Sequence, residues 1–266
     1  MRYDWYQVSV PATPSHCIAS IIERFGDDFE DTKPTHPYKQ AIKHAEAGFR
    51  VQWGGVNPLP HVIATGTAAP LAASFLRDVY PDHAISRVDV CHDLDEEGGF
   101  DRLRALIEPG IRAAGVQVTF YGDPDEARKP LEERRGRTVY YGSKNSDVRL
   151  VLYEKGLKER EEGPGAASWH WVRLELRVRP RKGRKASTAR LSASQMWGLA
   201  KWTRKVSQLL DLGAPDYRPD TSMRDSTARR ALRAVLSQYQ GTFRRAAEDM
   251  GRAAVIEAVE AVLDVR

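Results

Sequence analysis

Polar and apolar positions alternate with a period of two along many short stretches of this chain, and the period lengthens to that of a helix past residue 186. Alternation marks strands with one apolar face. It is weak over 3–10, then recurs at 47–54, 60–65, "ISRVDVCHD" (85–93), 115–122, 136–143 and 147–155. It is strictest in "WHWVRLELRVRP" (169–180). The turn-rich "GSKNSD" joins 136–143 to 147–155 as a hairpin, and the charged run 123–137 joins 115–122 to 136–143. Helical spacing predicts helices over 15–25, over 68–80 with Leu71, Phe75, Leu76 and Val79 inward, and over 99–115, closed by Gly115. Residues 188–212 and 224–264 read as helix throughout. The expectation is an α+β domain over 1–186, an antiparallel sheet with flanking helices, followed by a helical C-terminal region over 187–266.

Three strands carry ionisable groups on one face and apolar groups on the other. Arg87, Asp89, Cys91 and Asp93 lie opposite Val88, Val90 and His92, which makes His92 a core histidine. Trp171, Arg173, Glu175, Arg177 and Arg179 lie opposite Val172, Leu174, Leu176 and Val178. Arg149, Val151, Tyr153 and Lys155 share the third such face. Aspartate is depleted in strands, so two on one strand face need a use. Either they hold a hard divalent cation with Glu175, or they form an ion-pair network with the neighbouring arginines. Tyr153 is open in the same way. It is a strand-end aromatic, or its hydroxyl is a nucleophile assisted by nearby cations.

Composition narrows the setting. The 266 residues are 41% hydrophobic and 29% charged, with net charge +5, as in a soluble globular protein. No apolar run approaches the ~18 residues of a membrane span, and the N-terminus lacks a signal-peptide layout. Cys17 and Cys91 have no disulfide or zinc spacing and read as reduced thiols of a cytoplasmic protein. Residues 173–190 hold eight Lys or Arg against one Glu, a footprint suited to phosphate. Zinc, P-loop and nucleophile-elbow signatures are absent from the chain.

"ISRVDVCHD", "RTVYYGSKNSDVRLVLYEKGLKERE" and "WVRLELRVR", in this order, resemble the Rep_trans family of rolling-circle replication initiators of small plasmids and filamentous or related phages. The resemblance covers residues 47–180. It implies a nickase sheet related to the HUH fold but without its histidine motif, which this chain also lacks. It also implies the nicking of origin DNA, single-stranded or extruded as a hairpin, by a tyrosine. A 5′-phosphotyrosine forms, and the released 3′-hydroxyl primes synthesis.

Carried onto this sequence, the family's nucleophile motif falls on Tyr153-Glu154-Lys155. Its metal-binding acids fall on Asp89, Asp93 and Glu175, implying Mg2+ or Mn2+. Arg149, Arg173 and Arg177, with Lys155 and with Lys144 in the turn, are then the DNA-binding residues. Tyr140 and Tyr141 are the alternative nucleophiles, with Tyr141 expected beside Tyr153. A host helicase and a second copy of the chain are the further partners this reading admits. Cys91-His92 departs from the family pattern. So does the tail, where "SQYQGTFRRAAEDMG" has the look either of a helix-turn-helix or of a helical bundle. The competing readings are a non-catalytic DNA-binding initiator, a nuclease that uses water, and a relaxase.

Overall fold

A computed structural model describes residues 1–162, 167–213, 235 and 239–263. The chain forms two compact units, Met1–Arg218 and Pro219–Arg266. The first unit is an α+β fold on a ten-stranded antiparallel sheet. Its strands are β1 (Arg2–Ser9), β2 (Phe29–Asp31), β3 (Gln40–His44), β4 (Phe49–Trp53), β5 (His61–Thr65), β6 (Ala84–Asp95), β7 (Val118–Tyr121), β8 (Thr138–Tyr141), β9 (Val148–Tyr153) and β10 (Trp171–Val178). They run in the order β2-β3-β4-β5-β1-β6-β10-β9-β8-β7, which puts β6, β10 and β9 side by side.

The apolar half of each alternation makes one core. Tyr6, Val88, Val90, Leu150, Leu152, Leu174 and Leu176 pack with residues of three helices: α1 (Pro14–Phe25), α2 (Ala68–Val79) and α3 (Gly99–Ala113). Each fully buried Val or Leu contributes about 1.5–3 kcal/mol, so register is strongly held; a one-residue slip would expose the whole set. α1 starts at Thr13, whose hydroxyl accepts from the His16 N–H, and stops at Gly26 with φ 92°.

Four expectations change. In α2, Leu71 and Val79 are exposed, and the inward face is Ala69, Ala72, Ala73, Phe75 and Leu76. Small alanines let the helix lie close on β1, which turns the stripe away from the larger residues. β2 and β3 lack clear alternation and escape the sequence reading. The third strand ends at Tyr153, and Lys155 opens the helix α4 (Lys155–Glu162). The boundary expected at 186 falls inside the first unit, because α5 (Lys185–Ala189), α6 (Ala193–Met196) and α7 (Lys201–Leu209) follow the sheet and pack on it. Ala189, Met196, Trp197 and Val206 are buried in the same core.

The second unit contains α8 (Gln240–Met250) and α9 (Arg252–Leu263), broken at Gly251 with φ 85°. Of the helix expected over 224–264, residues 224–234, 236–238 and 264 lie outside the described residues. Among the described residues no helix is long and apolar enough to cross a membrane.

Candidate active site

Strand register places the polar face residue by residue. Along β10, Arg173 stands between Tyr153 of β9 and Asp93 of β6. Glu175 stands between Val151 and Cys91, and Arg177 between Arg149 and Asp89. Tyr153, Glu175 and Asp89 therefore run diagonally across three adjacent strands. Asp93 lies outside that diagonal.

The tyrosine is tied to the acid. Tyr153 is 8% exposed, and its hydroxyl donates to Glu175 Oε2 at 3.2 Å. Burial, and then the Glu175 charge, push this phenol well above its ordinary value. Glu175 Oε1 accepts from Arg177 Nε at 2.5 Å. Asp89 accepts from Arg87 Nε at 3.0 and 3.1 Å and pairs with the Arg87 Nη2. Even so, burial, with the Glu175 charge adding to it, pushes the Asp89 carboxyl up to about 6.

Asp93 belongs to a separate network. It accepts from Arg173 Nε (2.6 Å) and Nη2 (2.9 Å), Trp171 Nε1 (2.9 Å) and Arg2 Nη2 (3.1 Å). Burial acts upward on Asp93, but these donors outweigh it and hold the carboxyl below the usual carboxylate range. Arg173 also pairs with Asp4 at 2.9 Å.

Two site expectations are corrected by this geometry. Asp89, Asp93 and Glu175 do not converge: four strand residues separate the two aspartates by about 13 Å at ~3.3 Å per residue. Among the described residues no group of three or more His, Cys, Asp or Glu could hold a metal ion. Asp89 and Glu175 are the two acids that lie together. Arg173, expected to grip phosphate, is 3% exposed and saturated by Asp93 and Asp4.

A third correction concerns Tyr141. It pairs with Leu150, so it points into the helix-covered core and not toward Tyr153. It is fully buried, and its hydroxyl reaches Glu108 Oε2 at 3.5 Å. Period-two counting from Val139 already excludes it, since Val139 is a core residue. Tyr140 is the residue of that pair on the polar face, across from Val151.

The other basic residues divide by partner. Arg149 places its guanidinium 3.9 Å over the Tyr140 ring and has no carboxylate within ion-pair reach among the described residues. Lys144 stands with Arg149 in a hollow lined also by Tyr121, Thr138 and Tyr140. Lys155, expected on the strand face, bonds Glu159 within α4 and lies 5.3 Å over the Trp171 ring. Glu154 is turned away into a buried pair with Arg137 (2.8 Å), which also holds Asp101.

The sequence reading left Arg87 and Arg179 out of the cation set. Arg179 is exposed and feels the charges of Arg87, Arg177 and Arg149. Their shared face was readable from the strict alternation. The run 123–137 is locally ordered. Two 3-10 turns, Pro124–Arg128 and Leu131–Glu133, fold around buried Glu126, which accepts from Lys129 Nζ and the Arg135 N–H at 2.7 Å each.

The fold is a single antiparallel sheet with helices flanking it and an ion-lined central face. No protein-family model and no curated protein sequence matches the chain. Among solved structures it is similar to the "Rolling Circle Replication Initiator Protein from Geobacillus stearothermophilus". Identity is 18% over 78% of this chain and 95% of that one, with a TM-score of 0.52.

Proposed function

We propose that this protein initiates rolling-circle DNA replication by nicking one strand of origin DNA with Tyr153. The observation that carries the reading is the placement of the Tyr153 hydroxyl. It contacts a carboxylate able to take its proton, on a face rimmed by Arg87, Arg149, Arg177 and Arg179. The shared fold supports the same class.

The step follows from these groups. Tyr153 Oη attacks the phosphorus of a bound phosphodiester, and its proton passes to Glu175 Oε2. The phosphorus–O3′ bond breaks, and the departing oxygen takes a proton from water. The products are a 5′-phosphotyrosine and a 3′-hydroxyl. A phenol is protonated near neutral pH, and burial makes its ionisation harder still, so a carboxylate at the hydroxyl that can take the proton assists the attack. Arg149, Arg177 and Lys144 hold phosphates, fixing the strand without reading its sequence. Attack of a 3′-hydroxyl on the phosphotyrosine reverses the step and closes the circle.

Asp89 and Glu175 would hold Mg2+ or Mn2+, with Asp93 taking no part. They are the two acids that lie together on the face, and burial, with the Glu175 charge adding to it, pushes the Asp89 carboxyl up. Mg2+ is commonly bound by one or two carboxylates together with substrate phosphates. When bound, such an ion neutralises charge on the attacked phosphate.

The test uses overlapping labelled single strands from the DNA element that encodes the protein, incubated with Mn2+ and run on a denaturing gel that keeps adducts. A DNA-linked protein band that is absent in Tyr153→Phe is expected. Cleavage that survives in Tyr153→Phe without an adduct would instead mean that water is the nucleophile. Binding without cleavage by either protein, across all strands, would mean a non-catalytic initiator.

A further inference from the structure

The hollow at the β7–β8–β9 edge is built from five residues: Tyr121, Thr138, Tyr140, Lys144 and Arg149. Its volume of about 370 Å³ falls within the ~300–1,000 Å³ range of ligand sites. Register fixes its distance from the nucleophile. Thr138 pairs with Tyr153 on one side and with Tyr121 on the other, so the hollow begins one strand from the Tyr153 ring. Directly paired residues bring their Cβ atoms within about 5 Å.

Most other cations on the face are paired. Arg87, Arg173 and Arg177 each close on a carboxylate, and Arg179 is exposed. Among the described residues Arg149 closes on none, and its Nε is buried with no hydrogen-bond partner. Its guanidinium lies on the Tyr140 ring, which holds the charge in place and occupies that ring. Tyr121 meets Tyr140 edge-on at 5.5 Å and is 52% exposed, so its own ring is open. Two cations without acids, beside one open aromatic ring, match a phosphate joined to a base. Sequence-tolerant single-strand binding uses this pairing of charge and stacking.

We infer that this hollow seats one nucleotide of the single strand next to the attacked phosphate, with the phosphate on Arg149 and Lys144 and the base on Tyr121. The placement beside the attacked phosphate rests on the nicking reading above; the seat itself does not. Tyr140 positions Arg149 and does not stack the base. Thr138 lines the passage toward Tyr153.

The experiment uses the full chain in a Tyr153→Phe background, so that strand binding is measured apart from nicking. Anisotropy of fluorescein-labelled dT20 across NaCl concentrations gives affinity and salt slope. Tyr121→Ala should weaken binding about 5- to 150-fold, the effect of one lost stack, with the slope unchanged. Arg149→Met and Lys144→Met should each reduce the slope by about 0.7, and Arg149→Lys should restore it. A 5-iododeoxyuridine strand should crosslink to Tyr121, as mapped by mass spectrometry.

Wild-type affinity and slope in all three loss variants, or crosslinks that map only to other elements, would overturn the seat whether or not the protein nicks. Displacement of dT20 by dTMP at concentrations similar to the strand's would mean a free-nucleotide site and would likewise overturn it. If the seat is confirmed while Tyr153→Phe still forms the adduct, the nicking reading fails and the seat stands.

Discussion

Arg173→Met tests the division of the polar face into locked and free cations. The substitution keeps the volume and the apolar stem and removes the charge. It strips Asp93 of two hydrogen bonds and Asp4 of its closer ion pair, leaving Asp4 with Arg2 at 3.9 Å. Breaking one side of a fully buried pair costs about 3–5 kcal/mol. Asp93 and Asp4 keep side-chain exposures of 28% and 22%, and Asp93 retains Trp171 and Arg2. The expected loss is therefore smaller, about 2–3 kcal/mol. At ~2–4 °C per kcal/mol for a folded unit of this size, Tm falls by about 4–12 °C. Single-strand binding, measured below that transition, should keep the wild-type salt slope, because a guanidinium that touches no phosphate releases no counterion. Calorimetry and anisotropy across NaCl read the two quantities. The reasoning is refuted if Arg173→Met melts within ~1 °C of wild type while its slope drops by about 0.7.

Tyr141→Phe should form the covalent adduct at the wild-type rate and change stability by no more than about 1 kcal/mol, since it gives up one long contact to Glu108. Loss of the adduct on the denaturing gel would restore Tyr141 as the nucleophile. His61 is buried against Tyr38, and burial, followed by the Lys185 charge, lowers it to about 4. The unfolded chain binds its proton first, so its contribution is intact above about pH 6.5 and is lost as pH falls toward 4. Urea unfolding of wild type should weaken by on the order of 2–3 kcal/mol more than His61→Gln between pH 7 and 4; equal losses would sink the assignment.

Alternation in β6, β9 and β10 was sufficient to sort Asp89, Tyr153, Glu175 and Arg177 onto one face, because side chains in a strand have only two directions. The same counting places Tyr141 with Val139 on the core face, so although β8 lies beside β9 as expected, Tyr141 points away from Tyr153. Period alone says nothing of which strands are adjacent. Only the order β6-β10-β9 sets Arg173 between Asp93 and Tyr153, and so turns an expected DNA contact into an internal ion pair. Likewise only the shared register puts Glu175, and neither aspartate, within reach of the Tyr153 hydroxyl. Partner choice among like-faced charges depends on distances of a few ångströms between residues 22 to 80 positions apart in the chain. Those distances are a property of the assembled sheet, whereas the direction of each side chain is a property of its own strand.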